Sequence, residues 1–207
     1  MGMRIKHRDS VPQIDPTAWI APNAVVSGKV VVGPRSRILY GVVLTAEGRA
    51  DLQIGSDCVI MEQAVWRASG QFSLRVGDST LVGPHAYLSG CTIGPSCFIA
   101  TGAMVFNGAV LGEGSTVALG GIVHINTTLP RNSWIPIGHI AVGKPGEVFS
   151  PDQSTAVHEK IGQTGFPTYV FGLQTENRHR SEINREIACQ YSRALQVHQH
   201  DEILSDD

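Results

Sequence analysis

A small set of side chains in this sequence could carry chemistry. His85 carries an imidazole, which could act as an acid or a base. Glu62 can act as a general base, and Ser89 becomes a nucleophile if a base reaches it. Arg67 opens a polar stretch and can clamp a carboxylate through paired hydrogen bonds. Thr45, Thr101, Phe106 and His124 complete the candidate set as substrate-lining residues. Each also has a plainer role. Arg67 and Glu62 can simply form an ion pair across an interface, His85 can hydrogen bond at an interface, and His124 can sit solvated on a turn. These residues are far apart along the chain, so they matter only if the fold stacks them.

The stacking device is a repeat of period six. An apolar residue returns at Ile14, Ile20, Val26, Val32, Ile38 and Leu44. It resumes at Ile54, Ile60 and Trp66, then at Val76, Val82 and Leu88. After one five-residue step it runs through Ile93, Ile99, Val105, Leu111, Val117, Val123, Leu129 and Ile135. All but Trp66 are Leu, Ile or Val. Small or β-branched residues follow four places later, among them Ala24, Cys58, Thr80, Ala86, Cys97 and Ser115. An α-helix would need a period of about 3.6 and a lone strand a period of 2. Period six fits a solenoid whose hexads each make one short strand and one turn, with three hexads to a triangular coil. Rotating the apolar positions over three faces puts Thr45, Arg67, Ser89, Phe106 and His124 in one outward column, and Glu62, Pro84 and Thr101 in a second column on the adjacent face.

The repeat divides the chain into a lead-in at 1–13, a β-helix at 14–149 and an extension at 150–207. Two polar, Gly-containing loops, Thr45–Gln53 and Arg67–Arg75, interrupt the coils. Ile183, Ile187, Tyr191 and Leu195 recur at fours and predict an amphipathic helix over about 177–198. The acidic tail from Asp201 reads as solvated. Charged residues make up 16% of the chain and the net charge is −2, which argues against a nucleic-acid surface. No apolar run approaches the roughly 18 residues of a membrane span. Cys58, Cys91, Cys97 and Cys189 lack metal-type spacing, so free thiols in a cytoplasmic protein are expected.

Three stretches go beyond generic hexad grammar. Residues 82–94, VGPHAYLSGCTIG, resemble the γ-class carbonic anhydrase segment VGH, four residues, HGCTIG. Residues 57–67, DCVIMEQAVWR, resemble its TNIQDGSVLH stretch, and residues 135–145, IPIGHIAVGKP, resemble its closing turn. The resemblance covers about residues 13–149 and implies an all-β, left-handed parallel β-helix that assembles as a homotrimer. In that family three histidines hold zinc between two subunits. Here Arg67, Pro84 and Ser89 fall on those positions, and the family's loop arginine and carboxylate fall near Thr45 and Glu47. A guanidinium offers no lone pair, proline no donor, and a serine hydroxyl is a poor zinc ligand.

The resemblance therefore implies a γ-carbonic-anhydrase-like protein with no metal at that place and no zinc-dependent CO2 hydration. Three functions follow as expectations. The intersubunit cleft could bind or transform a small anionic molecule without a cofactor. It could serve a CoA-dependent acyltransferase with His85 or His124 as base. The chain could also be a non-catalytic scaffold or assembly subunit. Metal held by relocated ligands such as His85 stays open.

Overall fold

In the computed structural model, which describes residues 2–162 and 165–205, each hexad lays down a strand of two to four residues. Strands of successive coils pair in parallel, because every inward aliphatic residue sits directly above its counterpart in the previous coil. Leu44 lies opposite Trp66, Trp66 opposite Leu88, Leu88 opposite Val105, and Val105 opposite Val123. The result is a left-handed β-helix with one ten-stranded and two seven-stranded sheets.

The inward residues form one apolar column through the whole solenoid. Ile14, at the open first end, is partly exposed; every later apolar position of the repeat is buried. The small residues four places on are buried as well, since larger ones would collide with the coil above. Where these are hydroxylic they answer backbone carbonyls: Ser36 Oγ donates to Gly55 O at 2.8 Å and Ser115 Oγ to Pro130 O at 3.2 Å. The glycine that follows many apolar positions is also steric. A Cβ on Gly77 would lie 2.5 Å from the nitrogen of Pro95 in the next coil.

Several boundaries differ from the sequence-based expectation. Met3–Lys6, within the expected lead-in, is already a strand of the ten-stranded sheet and pairs in parallel with Val25–Gly28. The two loops are shorter than expected. Thr45–Ala46 and Arg67–Ala68 continue their strands, and Leu52–Ile54 and Leu74–Val76 resume them, which leaves corner loops at 47–51 and 69–73.

The extension folds into helices α1 (Ser154–Gly162), α2 (Phe166–Phe171) and α3 (Arg180–Leu195). The last helix stops short of the expected end, giving way to a 3-10 turn at Gln196–His200. Three of the four residues of its expected inner face are at least half-buried, Ile183, Ile187 and Tyr191, while Leu195 at the end of the helix is exposed.

The extension runs the length of the solenoid as a strap. At one end Glu147–Phe149 pairs antiparallel with Ile140–Val142; at the other Glu202–Ile203 pairs antiparallel with Met3–Lys6. The two outermost strands of the large sheet are thus short antiparallel segments that flank the stacked coils. The acidic tail is therefore not simply solvated: Asp201 is mostly buried and Glu202 pairs with Lys6. Its last two residues, Asp206 and Asp207, lie outside the described residues.

Candidate functional site

Because side chains alternate across a strand, the residue after each inward one points outward. Thr45, Arg67 and Ser89 are direct partners in the ladder, and Phe106 and His124 continue the column one and two coils on. Glu62, Pro84 and Thr101 occupy equivalent turn positions of successive coils. The His85 N–H donates to Glu62 O at 3.0 Å, and the Gly102 N–H to Pro84 O at 2.9 Å. His85 stands beside that second column, exposed, with its backbone at φ 57°.

Within one chain the partner of Arg67 is Glu47 and not Glu62. The Arg67 Nη2 donates to Glu47 Oε1 at 2.9 Å, and its guanidinium carbon lies 6.0 Å from the centre of the Tyr191 ring on α3. Burial works against its charge. The Glu47 carboxylate outweighs that by charge and hydrogen bond and holds the guanidinium pKa above its ordinary value.

Farther along the column, Tyr87 and Phe106 pack ring to ring at 5.8 Å. Burial pushes the His124 pKa down, which favours the neutral imidazole. Two polar atoms of this column, Thr45 Oγ1 and His124 Nδ1, are buried without a hydrogen-bond partner. Ser89 is buried, and among the described residues no hydrogen bond joins it to His85. The stacked column is thus brought together, while the acid–base and nucleophile candidates stay apart within one chain. Three of the four cysteines, Cys58, Cys91 and Cys97, are buried, and burial pushes Cys91 up to about 12; Cys189 is exposed.

One cavity was not foreseen. It has a volume of about 300 Å³ and lies where the corner loops meet the strap. Glu47, Ser69 and Phe72 line it from the solenoid, Tyr191 and His198 from the strap, and His7 from the first coil. The two interruptions of the repeat were its only sequence signal. They marked where polar residues leave the coil but not that the chain's own C-terminal part would close over them.

No family model matches the chain. Among characterised proteins it is 33% identical over 145 residues to gamma carbonic anhydrase 2, mitochondrial, of Arabidopsis thaliana, covering 67% of this chain and 50% of that one. Gamma carbonic anhydrase 3, mitochondrial, of the same plant is 37% identical over 101 residues, covering 46% of this chain and 39% of that one. Protein YrdA of Escherichia coli is 33% identical over 152 residues, covering 70% and 79%. The chain belongs to the γ-carbonic-anhydrase-like family of hexapeptide-repeat proteins.

It spans half or less of the length of the plant γ-carbonic anhydrases it matches. Solved structures share the solenoid with this γ-carbonic-anhydrase-like chain. A putative acetyltransferase from Bacillus cereus matches at 24% identity and a TM-score of 0.52, covering 76% of this chain and 90% of that one. A UDP-N-acetylglucosamine acyltransferase matches at 13% and 0.51, covering 92% and 85%. At such identities these likenesses speak to the fold alone. Among the described residues no helix is long and apolar enough to cross a membrane.

Proposed function

We propose that this γ-carbonic-anhydrase-like protein does not hydrate CO2 with zinc. We propose instead that it assembles as a homotrimer and binds or transforms a small anionic molecule in the cleft between subunits. The residues at the family's metal positions do not fit the ion. Arg67 is a cation with no lone pair and is already held by Glu47, Pro84 has no side-chain donor, and the Ser89 hydroxyl is a weak ligand. No step of the chemistry is therefore drawn through zinc.

The observation that carries the reading is the outward column itself. Arg67 is half-buried and spends one donor on Glu47, which leaves most of its five N–H groups for an incoming carboxylate. Thr45 Oγ1 and His124 Nδ1 are buried beside the same column without partners. Buried polar atoms rarely go unanswered, and a bound polar molecule would answer them. Glu62 and His85, on the corner that a neighbouring subunit would bring to this face, are the acid–base pair of the proposal, with Ser89, Thr101 and Phe106 lining the cleft.

The trimer has its own support. Trp19, Leu81, Phe98 and Trp134 project from one seven-stranded sheet with exposures from 38% to 63%. Tyr40, Leu119 and Ile137 are exposed on the same corner column as Glu62. Arg37 and Thr116 interrupt the first row and Glu62 and Thr101 the second, so the face is apolar with polar groups set into it, a composition that suits a protein interface.

Calorimetric titration with a panel of small carboxylates, alongside light scattering and stopped-flow CO2 hydration, tests the reading. The expected result is a trimer, hydration at the buffer rate, and a carboxylate whose affinity falls about tenfold or more in Arg67→Gln, the loss of a charge-assisted hydrogen bond. Binding of acetyl-CoA in place of small carboxylates would favour acyl transfer with His85 or His124 as base. A stable hetero-complex with an inert cleft would favour the assembly role. Stoichiometric zinc in that cleft with rapid hydration would overturn the proposal.

A further inference from the structure

Outside that column, the two ends of the chain converge on three metal-competent side chains. His7 follows the first strand, His198 lies in the 3-10 turn and Asp201 follows it. His7 Nδ1 is 2.7 Å from one carboxylate oxygen of Asp201, and His198 Nδ1 is 2.8 Å from the other. The two rings lie 4.6 Å apart, and one candidate ligand atom from each of the three residues falls within 4.8 Å of the others.

His7 is 3% exposed, and its second ring nitrogen, Nε2, is buried with no partner. The three are clasped through the two Nδ1 atoms and both Asp201 oxygens, and an ion seated among them would take those same atoms in place of the shared protons. His7 Nε2, on the far side of its ring from Asp201, is not part of that set. His198, a third exposed, lies on the cavity wall and gives an ion a way in.

We propose that His7, His198 and Asp201 form a binding site for one divalent transition-metal ion, which locks the C-terminal strap to the first coil. Two imidazoles and one carboxylate select a borderline ion such as Zn2+, Co2+ or Ni2+ over Mg2+ or Ca2+, which prefer oxygen-rich sets. The consequence is local order. Leu204 donates its N–H to Arg4 O at 2.9 Å just beyond the site, and α3 immediately before it carries Tyr191 onto Arg67. An ion there joins residues 194 positions apart in sequence and holds the strap closed over the candidate column.

The test uses the full chain stripped with chelator and titrated with Zn2+ and with Co2+. The expected result is one equivalent bound per chain, a visible Co2+ spectrum of a nitrogen–oxygen site, and slower amide exchange at Leu204 in the metal-loaded protein. His198→Gln and Asp201→Asn, at partly exposed positions that the core tolerates, weaken binding about tenfold or more. Arg67→Gln and Ser89→Ala keep the single equivalent. Absence of saturable binding, or uptake unchanged in both His198→Gln and Asp201→Asn, overturns the site. Zinc lost with Ser89→Ala but retained in His198→Gln overturns it too, and takes the zinc-free cleft down separately.

Discussion

The two halves of the solenoid contrast. From Ile93 to Ile135 the hexads run without interruption, and the ion pair of these coils, Arg131 with Glu113, lies at the exposed surface. Between Leu44 and Val76 the repeat is broken twice. There the polar chemistry gathers, with Arg67 on Glu47, Asp51 on Ser73 and Arg75, and the cavity under the strap. An unbroken period makes a rod. An interruption forces backbone out of the coil at a corner, and the polar groups it carries must then find partners, either one another or something bound.

The sharpest way to break the contrast is in the core, where the two halves should behave alike. Trp66 and Leu111 are 0% and 1% exposed, one in each half. Trp66→Ala should cost about 3–5 kcal/mol and Leu111→Ala about 2–5 kcal/mol, transfer and cavity terms together. Trp66→Phe should recover much of that loss, since it refills the space and removes an indole N–H that has no partner. Denaturant midpoints read both. A Trp66→Ala chain as stable as the parent would mean that the broken half is not packed as one column with the rest.

The next effect separates the halves. Asp51 is mostly buried, accepts from Ser73 Oγ, Gln53 Nε2 and Arg75, and so ties the two corner loops together. Asp51→Ala should cost about 1–3 kcal/mol, the usual result of stranding several donors at once. The pH profile gives the same answer independently. Burial works to raise the Asp51 pKa, but Ser73 and Arg75 outweigh it and hold the carboxyl below the usual range. The folded state therefore binds that proton less readily than the unfolded chain. The stability from this group is complete above the unfolded value of about 3.9 and drains away as pH falls through the lower folded value. The Asp51→Ala profile should be flatter below pH 4 than the parent's. Parallel curves would remove Asp51 from the network.

How much of this was legible follows from what a sequence can encode locally. The inward column from Ile20 to Ile135 was readable because period six is written in side-chain identity, and the outward column of Thr45, Arg67, Ser89, Phe106 and His124 follows from it by alternation alone. The loop limits were overdrawn because Thr45, Ala46 and Arg67 continue their strands through backbone hydrogen bonds that a hydropathy pattern does not register. Within the chain Arg67 pairs with Glu47, a partner the hexad pattern did not point to, because the ladder sets the start of one corner loop beside the strand that leads into the next. The Arg67–Glu62 pair is an expectation for a subunit interface, not for one chain. The strap was invisible as such: helix periodicity gives an apolar face without saying what it covers, and Glu202–Ile203 on Met3–Lys6 is a pairing of chain ends with no local signature. The meeting of His7 with Asp201 depends on that pairing and was missed with it.

The smallest expected effect closes the comparison between the halves with one chemistry in two settings. Arg67–Glu47 and Arg131–Glu113 each have a guanidinium Nη2 at 2.9 Å from a glutamate oxygen in the adjoining coil. Only their surroundings differ: 28% and 17% side-chain exposure in the broken half, against 72% and 49% in the unbroken one. In water-screened surroundings the attraction is largely offset by the entropy of holding two long side chains still. Arg131→Gln should therefore leave the denaturant midpoint within error of the parent, at low and at high salt. Arg67→Gln strands a mostly buried carboxylate and should lower it measurably at both. If the two substitutions cost the same, the corner loops desolvate their charges no more than the open face of the rod does, and the polar cluster of the broken half loses its claim to be a site.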